Sequence, residues 1–229
     1  MRRRQGACFK IGSGILFVGV ALNGVFIIVD GVDGAGKGHA MMRLQEFIMG
    51  RSKKYDGLLL TREPTNGTVG KKIRERLAAE KDATAHAREF LDLYVADRRE
   101  HLENHILPAL VKGYVVLCDR FKYSTVAFQH AQGVPVAEIV KAHEGLKSPD
   151  LALILDVPFD VARGRMDGRA KDKFDDADSG FHDKVRETYL EMPKIFPNEK
   201  IVIIDASKPK EEVAKALFEA VENSGVLPY

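Results

Sequence analysis

The sequence predicts a single α/β domain, in which helices cover both faces of a five-stranded parallel sheet and form three layers with it. Short apolar runs alternate with longer helical segments, and most runs are continuously apolar, as in strands buried on both faces. No internal repeat, low-complexity tract or linker rich in Pro or Gly divides the 229 residues. The five candidate strands are 25–30, 58–61, 115–119, 151–156 and 201–205.

Four of these five strands end in Asp. In open α/β sheets ligands bind at the carboxyl edge, so we expect the functional site there. Between and after the strands, apolar positions recur with helical spacing. The predicted helical segments are 37–51, 69–79, 85–111, 136–144, 159–167, 178–192 and 210–223.

Composition and charge fit a globular protein and exclude several classes. Apolar residues make up 45% of the chain and charged residues 30%, values far from those of disordered proteins. The 35 basic and 33 acidic residues nearly balance, so no broad basic surface for nucleic acid is expected. Cys8 and Cys118 are too few for a disulfide scaffold or a zinc site built from cysteines. We expect a cytoplasmic protein.

Residues 1–24 differ from the rest of the chain, because they hold four basic residues and no acidic one. A basic start followed by the apolar run 15–22 has the outline of a secretory signal peptide. Asn23-Gly24 equally indicates a hairpin turn before the first strand. Glycines interrupt the stretch, which excludes a transmembrane helix. We favour an extension outside the globular body 25–229, whether or not it reflects an upstream start codon, and expect no membrane association.

The first strand leads into a glycine-rich loop, G-x-x-x-x-G-K, and then into a helix. Glycines let successive backbone N–H groups turn towards phosphate oxygens, and the helix N-terminus adds partial positive charge. Lys37 is then placed to reach the β- and γ-phosphates of a nucleoside triphosphate. The pattern predicts a P-loop NTPase fold that binds ATP through Gly31, Val32, Asp33, Gly34, Ala35, Gly36, Lys37 and Gly38.

One position of this loop departs from the P-loop pattern. The residue after Lys37 is ordinarily Ser or Thr, whose hydroxyl binds Mg²⁺, but here it is Gly38. Because Mg²⁺ keeps several waters, a nearby carboxylate can hold it through water. Asp119, at the end of an apolar strand, is the best candidate, with Asp30 and Asp33 as alternatives. Without such compensation, the chain would bind nucleotide but turn over slowly.

A second group of motifs follows the strands. Residues 117–129 read LCDRFKYSTVAFQ, which is a hydrophobic pair, then D-R-[FY], then S-x-x-A-[FY]-Q. The chain lacks the N-K-x-D motif that reads guanine, which argues against a GTPase. The remaining motifs are Thr61-Arg62-Glu63-Pro64, Asp97-Arg98, 149–151 and 155–158.

In order and spacing, these motifs resemble the thymidylate kinase family across residues 25–229. The resemblance implies transfer of the ATP γ-phosphoryl group to dTMP, giving dTDP for dTTP biosynthesis, with Mg²⁺ as cofactor. It also implies that residues 25–229 form one thymidylate kinase-like P-loop domain.

The resemblance assigns residues to the acceptor nucleotide. Arg120 grips its phosphate as a bidentate fork, and Arg62 is the basic group near the reacting phosphates. Tyr94 and Arg98 share one helix face, and the resemblance places them against the thymine ring and its polar edge. The other acceptor residues are Thr125 and Gln129 near the base, Phe128 near the sugar 2′ position, and Asp33 near the 3′-hydroxyl.

A lid segment is expected at about 163–177, where basic residues surround flexible glycines. The family divides by whether a catalytic basic residue lies in the P-loop or in the lid, and the P-loop interior here holds only small residues. The resemblance therefore implies the lid-arginine type, with Arg165 and Arg169 supplying transition-state charge. Lys173 stands where the family more often has Arg. By the same resemblance, the turn 205–207 borders the donor adenine.

Two other functions stay open on the sequence alone. One is a different nucleoside monophosphate kinase, and the other is a nucleotide-binding protein whose catalysis is weakened by Gly38. The expected partners are ATP and dTMP, with no nucleic acid. Thymidylate kinases are commonly homodimers, so the resemblance also implies a homodimer, to which the helical segment 85–111 could supply a face.

Overall fold

A computed structural model describes residues 22–51, 55–166, 174 and 179–227. Within them lie five strands: β1 (Val25–Gly31), β2 (Leu58–Arg62), β3 (Val115–Asp119), β4 (Leu151–Asp156) and β5 (Ile201–Asp205). They form one parallel sheet in the order β2-β3-β1-β4-β5. The predicted α/β class and the five predicted strands are confirmed.

The helices of the described residues alternate with these strands. They are α1 (Lys37–Arg51), α2 (Thr68–Ala79), α3 (Ala87–His101), α4 (Leu107–Val111), α5 (Lys122–Ala131), α6 (Val136–Ala142), α7 (Phe159–Gly164), α8 (Ser179–Ile195) and α9 (Lys210–Ser224). A π-helical turn, Leu102–Ile106, joins α3 to α4, and the N–H of Leu107 donates to the carbonyl of Leu102 five residues back.

Two differences from the predicted helices have physical causes. Helix α5 was not predicted, because its first turn is polar and β-branched and helical periodicity is weak over only ten residues. The predicted helix 85–111 begins at Ala87 and contains the π-helical turn. Periodicity alone does not reveal such a turn, because the apolar pattern continues through it.

The central strand β1 separates two apolar layers. Phe26 and Ile28 pack into one cluster with the layer that holds α3 and α8, whereas Ile27 and Val29 pack into the other cluster with α1 and α9. Every residue of β1 is buried, which explains why its sequence is apolar on both faces until Asp30. The sheet is therefore covered on both sides, giving three layers.

The sheet register positions the functional edge. Val29 of β1 lies opposite Asp119 of β3, and Gly31 lies opposite Leu155 of β4. The chain order reverses on either side of β1, and a crevice opens beyond the carboxyl ends of strands at such a point. The loop after β1 and the turn after β3 therefore emerge side by side.

The N-terminal boundary of the globular body stays a prediction, since residues 1–21 lie outside the described part. Gly24 donates its N–H to the Leu110 carbonyl at 2.9 Å, and Leu22 packs against the core. Among the described residues, no helix is long and apolar enough to span a membrane.

Candidate active site

The loop between β1 and α1 has the conformation that its glycines permit. Gly31, Gly34 and Gly36 have φ of 142°, 77° and 92°, a region that side chains disfavour. A Cβ on Gly34 would lie 2.2 Å from the Ala162 carbonyl oxygen, and one on Gly31 would lie 2.6 Å from the Leu155 oxygen. Glycine is thus required here both for backbone conformation and for close packing.

Lys37 folds back over this loop. Its Nζ donates to the carbonyls of Gly31 and Val32 at 3.0 and 2.9 Å and lies 3.9 Å from Asp33 Oδ1. Burial, followed by repulsion from Arg120, lowers the pKa of Lys37 to about 8. The ammonium group is therefore held inside the loop, where P-loop lysines meet terminal phosphates.

Asp30 organises the crevice and is not a metal candidate. Its carboxylate accepts from the N–H groups of Gly31, Phe121 and Ser124 at 2.8, 3.0 and 3.1 Å, and from the Tyr189 hydroxyl at 2.8 Å. The side chain is fully buried. Since both oxygens are occupied by donors, the alternative placement of Mg²⁺ on Asp30 gains no support.

Arg120 links the glycine-rich loop to the turn after β3. Its backbone is left-handed, with φ of 67°. Nη2 donates to Asp33 Oδ1 at 2.7 Å, and Nη1 donates to the Gly31 carbonyl at 3.2 Å and to Ser124 Oγ at 2.9 Å. Burial acts to lower the pKa of Arg120, but the neighbouring carboxylates, Asp33 foremost, raise it overall. The guanidinium stays charged, and it pairs with Asp33 at 2.7 Å and with Asp30 at 3.9 Å.

Asp119 and Gly38 line the same groove. Among the described residues, Asp119 Oδ1 is buried and has no hydrogen-bond partner. Burial raises the pKa of Asp119 against the opposing attraction of Lys37 and Arg120. A Cβ on Gly38 would meet no atom within 4 Å. Among the described residues, no cluster of three or more His, Cys, Asp or Glu could hold a metal ion.

A cavity of about 150 Å³ lies beside the glycine-rich loop. Seven of the eight predicted acceptor residues line it: Asp33, Tyr94, Arg98, Arg120, Thr125, Phe128 and Gln129. The exception is Arg62, which is exposed and lies in the groove with Asp119 and Gly38. The motifs thus converge on one cavity from four different segments of the chain.

Arg98 is held firmly in the wall of the cavity and is only 1% exposed. Its Nε and Nη2 lie 2.8 and 2.7 Å from Glu63 Oε2, and Nη2 donates to Thr125 Oγ1 at 3.2 Å. His101 Nδ1 donates to the second oxygen of Glu63 at 3.0 Å. Buried charges require such pairing, so Glu63 and His101 fix the Arg98 guanidinium in place.

His143 completes this network from α6. Its Nδ1 donates to the Ile139 carbonyl at 2.7 Å, so Nε2 is left to accept from Arg98 Nη1 at 2.5 Å. Burial and the Arg98 charge lower the pKa of His143 to about 3. The imidazole is neutral at physiological pH. Sequence reasoning missed His143, and no motif marks it.

Aromatic rings and one amide close the remaining sides of the cavity. Phe174 is 7% exposed and packs on Phe128 with centroids 4.9 Å apart. Gln129 Nε2 donates to Gln132 Oε1 at 2.8 Å, while Gln129 Oε1 is buried without a partner among the described residues. Phe174 was not predicted to line the site, although it falls inside the predicted lid.

The predicted lid lies largely beyond the described residues, and Arg169 and Lys173 are among those not described. Arg165 follows α7, and its Nη1 donates to the Ala206 carbonyl at 3.0 Å. The two residues line a groove that also contains Gly36. The turn after β5, predicted to border the donor base, therefore faces the glycine-rich loop.

Comparisons with known proteins agree with this geometry. The family model described as Thymidylate kinase matches residues 29–217. A thymidylate kinase of Nitrosomonas eutropha is 37% identical over 204 residues, covering 87% of this chain and 93% of the relative. A probable thymidylate kinase of Pyrococcus horikoshii is 36% identical over 185 residues, 79% of this chain and 88% of the relative. A thymidylate kinase of Alkalilimnicola ehrlichii is 36% identical over 208 residues, covering 88% of this chain and 94% of the relative.

These matches cover the glycine-rich loop, the D-R-F turn and the cavity, and they confirm the family and the kinase class predicted from the motifs. The chain belongs to the thymidylate kinase family.

Proposed function

We propose that this chain transfers the γ-phosphoryl group of ATP to dTMP with two binding regions that meet at Arg120. The observation that carries the proposal is the position of this one side chain. Arg120 lines the acceptor cavity and also donates to the Gly31 carbonyl of the glycine-rich loop. A monophosphate in the cavity would therefore lie next to phosphates bound on the loop, which is what direct phosphoryl transfer requires.

The reaction needs little covalent chemistry from the protein. A phosphate oxygen of dTMP attacks the γ-phosphorus of ATP, the bond from that phosphorus to the β-γ bridging oxygen breaks, and ADP leaves with the electron pair. Lys37 and the loop N–H groups neutralise the β- and γ-phosphates, and the Arg120 fork aligns the attacking phosphate. Arg62 and the lid residues Arg165 and Arg169 add charge near the transferred group.

Base and sugar are read by the walls of the cavity. Arg98, fixed by Glu63, faces the polar edge of thymine with Thr125 and Gln129, and the unpartnered Gln129 Oε1 is able to accept a hydrogen bond from an N–H of the base. Tyr94 packs against the ring. Phe128 crowds the sugar 2′ position and favours deoxyribose, and Asp33 lies near the 3′-hydroxyl.

The residues present fit Mg²⁺ as the cofactor, with Asp119 holding it through water. Support comes from the buried, unpartnered Asp119 Oδ1 and from the open space at Gly38, which leaves room for metal-bound water. Mg²⁺ held there by Asp119 would supply positive charge that neutralises the charge developing on the phosphates. Asp119 must be ionised to act, and its raised pKa makes the affinity for Mg²⁺ rise with pH.

The metal assignment is tested by Gly38→Ser, which restores the usual P-loop hydroxyl in open space. We expect tighter Mg²⁺ activation and a higher kcat at limiting Mg²⁺, whereas Asp119→Asn should weaken Mg²⁺ activation. Titration of activity against free Mg²⁺ at saturating ATP measures both. If Asp119→Asn has the same Mg²⁺ dependence as the parent chain, another group holds the metal.

Substrate choice is tested by comparing kcat/KM for dTMP, dUMP, UMP, CMP and AMP with ATP and Mg²⁺ in a coupled assay. We expect dTMP to be preferred, and preference for a ribonucleotide would identify another nucleoside monophosphate kinase. Gly38 motivates the second alternative, a nucleotide-binding protein with weakened catalysis. ATP binding without ADP formation in the presence of dTMP would favour it.

The assembly and location that we propose are a homodimer in the cytoplasm, with ATP and dTMP as the partners and no membrane association. The support is membership of a family whose members commonly have these properties. Sedimentation of the full chain at several concentrations tests the homodimer. A mass of one chain at micromolar concentration would contradict it.

A further inference from the structure

Helix α8 is fastened to the carboxyl edge of the sheet at two points. Arg186 donates from Nε and Nη2 to the two oxygens of Asp156, at the end of β4, at 2.6 and 2.9 Å. Tyr189 donates from its hydroxyl to Asp30 Oδ1, near the end of β1, at 2.8 Å. The two side chains share one face of the helix, because they are three residues apart. Helix α8 is therefore tied to both strands that border the glycine-rich loop.

The second of these contacts leads to Arg120 through one serine. Tyr189 is 3% exposed, and Asp30 is fully buried. Ser124 Oγ donates to the same oxygen, Asp30 Oδ1, at 2.5 Å and lies 3.0 Å from the Tyr189 hydroxyl. Ser124 Oγ also accepts from Arg120 Nη1 at 2.9 Å. The tyrosine of α8 thus belongs to the same polar cluster as the guanidinium that lines the acceptor cavity.

Two carboxylates lie close enough to compete for this guanidinium. Nη2 pairs with Asp33 at 2.7 Å, whereas Nη1 lies 3.9 Å from Asp30 Oδ1, which is too far for a hydrogen bond. Asp30 Oδ1 already accepts from two hydroxyls, those of Ser124 and Tyr189, and from one backbone N–H. Burial and the Asp30 charge raise the pKa of Tyr189 well above its ordinary value, so its hydroxyl keeps the proton that it donates. The oxygen therefore has no acceptor capacity left for Arg120.

We propose that Tyr189 is a positioning residue for Arg120, whose hydroxyl occupies Asp30 Oδ1 and so keeps the guanidinium directed at the acceptor cavity. The inference rests on the proposed function, in which Arg120 aligns the phosphate of dTMP. Without the hydroxyl, Nη1 closes the 3.9 Å gap to Asp30, and the fork turns away from the acceptor phosphate. Tyr189 is not one of the described residues that line the cavity, so its effect on the substrate passes through Arg120.

The test is Tyr189→Phe, which removes the hydroxyl and keeps the ring. The full chain is titrated calorimetrically, without ATP, with dTMP and with thymidine, which lacks the phosphate. We expect the Kd for dTMP to rise about tenfold, as it does when Arg120 is correctly placed in only about one molecule in ten. The Kd for thymidine should be unchanged, because Arg120 contacts only the phosphate. In steady-state kinetics the KM for dTMP should rise, with the KM for ATP within about twofold of the parent value.

Tyr123→Phe is the matched control. Tyr123 is also buried, and its hydroxyl also donates to a carboxylate, Glu199 Oε2, at 2.5 Å. Both substitutions remove one buried donor, so thermal unfolding should show comparable losses of stability, but Tyr123→Phe should leave both Kd values unchanged.

Two further variants test the route through Arg120. Ser124→Ala removes the middle member of the cluster and should likewise weaken dTMP more than thymidine. In an Arg120→Ala background, Tyr189→Phe should not change the Kd for dTMP further, because residues that act through one another are not additive.

Three results would overturn the inference. The first is an unchanged Kd for dTMP in folded Tyr189→Phe, and the second is an equal weakening of dTMP and thymidine, which would indicate a general distortion of the cavity. The third is a further loss of dTMP affinity in the Arg120→Ala background. If the parent chain prefers another monophosphate, the titrations use that nucleotide and its nucleoside. The proposed substrate then fails, whereas a selective loss of the nucleotide still supports the role of Tyr189.

Discussion

The acceptor cavity and the donor side of the glycine-rich loop meet at Arg120, yet their polar groups are satisfied in different ways. In the cavity, Arg98 is paired with Glu63, Thr125 and His143 before any ligand binds. On the donor side, Asp119 Oδ1 and His39 Nε2 are buried without partners among the described residues.

The difference indicates a division of tasks. A network that is complete without ligand holds its donors in one geometry and discriminates among acceptors, since a wrong base leaves buried groups unpaired. Among the described residues that line the cavity, Gln129 Oε1 is buried without a partner, so a ligand in the cavity could supply the missing contact. The donor side is instead completed by its ligand, so nucleotide and metal should contribute more to its order. The predictions below test this contrast, starting with the largest effect.

Glu63→Gln should most strongly damage the acceptor network, because it leaves the fully buried Arg98 guanidinium without its counter-charge. We expect the free energy of unfolding to fall by about 3–5 kcal/mol and the KM for dTMP to rise, as measured by urea denaturation and steady-state kinetics. Glu89→Gln, which removes the carboxylate of the exposed pair with Arg76, is the control. If both variants unfold at the same urea concentration, the cavity is not held by its buried ion pair.

Lys37→Ala should disable the donor side without unfolding the protein. We expect kcat to fall on the order of a hundredfold or more, the range for removal of one preorganised charge, with the affinity for dTMP nearly unchanged. Single-turnover kinetics and dTMP titration provide the measurements. Lys215→Ala on the exposed face of α9 is the control. A large loss of dTMP affinity in Lys37→Ala would show that the two regions are not separable.

His143→Gln should change how stability depends on pH. The pKa of His143 is lowered from 6.5 to about 3, so between these values the unfolded chain binds a proton that the native chain does not. The stabilisation that comes from keeping His143 neutral in the native state is therefore complete above pH 6.5. Below pH 6.5 the free energy of unfolding falls by about 1.4 kcal/mol per pH unit. In His143→Gln we expect the free energy of unfolding, measured by urea denaturation, to depend less steeply on pH between pH 6.5 and 4.5.

The control for this slope is His105→Gln, because His105 is exposed on the π-helical turn. A slope that is reduced in His143→Gln but not in this control assigns the effect to the buried His143 ring. An unaltered slope in His143→Gln would mean that His143 takes up its proton in the native state as readily as in the unfolded one.

Thr61→Val should have the smallest effect. Thr61 Oγ1 lies 2.7 Å from His101 Nε2, at the far end of the Arg98 network. Valine keeps the shape, so the loss is one hydrogen bond, about 1 kcal/mol in the free energy of unfolding. The KM for ATP should be unchanged. A changed KM for ATP would place Thr61 in the donor site, and the acceptor cavity and the donor side would then not be separate regions.

The strands and the glycine-rich loop could be predicted because their signals are local. A continuous apolar run ending in Asp and a loop rich in glycine each need only a few neighbouring residues. All five strands accordingly begin at the predicted residue and end within one residue of the predicted limit. The family motifs were also enough to bring together seven residues that line one cavity.

Pairing between distant residues could not be predicted. Arg120 binds Asp33 of the glycine-rich loop and not the adjacent Asp119, because its left-handed backbone directs the side chain towards the loop. His143 lies 45 residues from Arg98 in the chain. Its role depends on how α6 packs beside α3, which no short pattern encodes.

The π-helical turn between α3 and α4 has a consequence for chain length. Arg98, Leu102, Ile106 and Leu110 are all buried and recur every four residues. In an uninterrupted α-helix, residues 98 and 110 would differ by about 120° around the axis, whereas absorbing one residue reduces this to about 20°. Deleting one residue from Leu102–Ile106 would thus leave a regular α-helix in which Arg98 and Leu110 still differ by only about 20° around the axis. A chain one residue shorter here would therefore keep Arg98 on the same side of the helix, whereas a second deletion would rotate it by about 100° relative to the core.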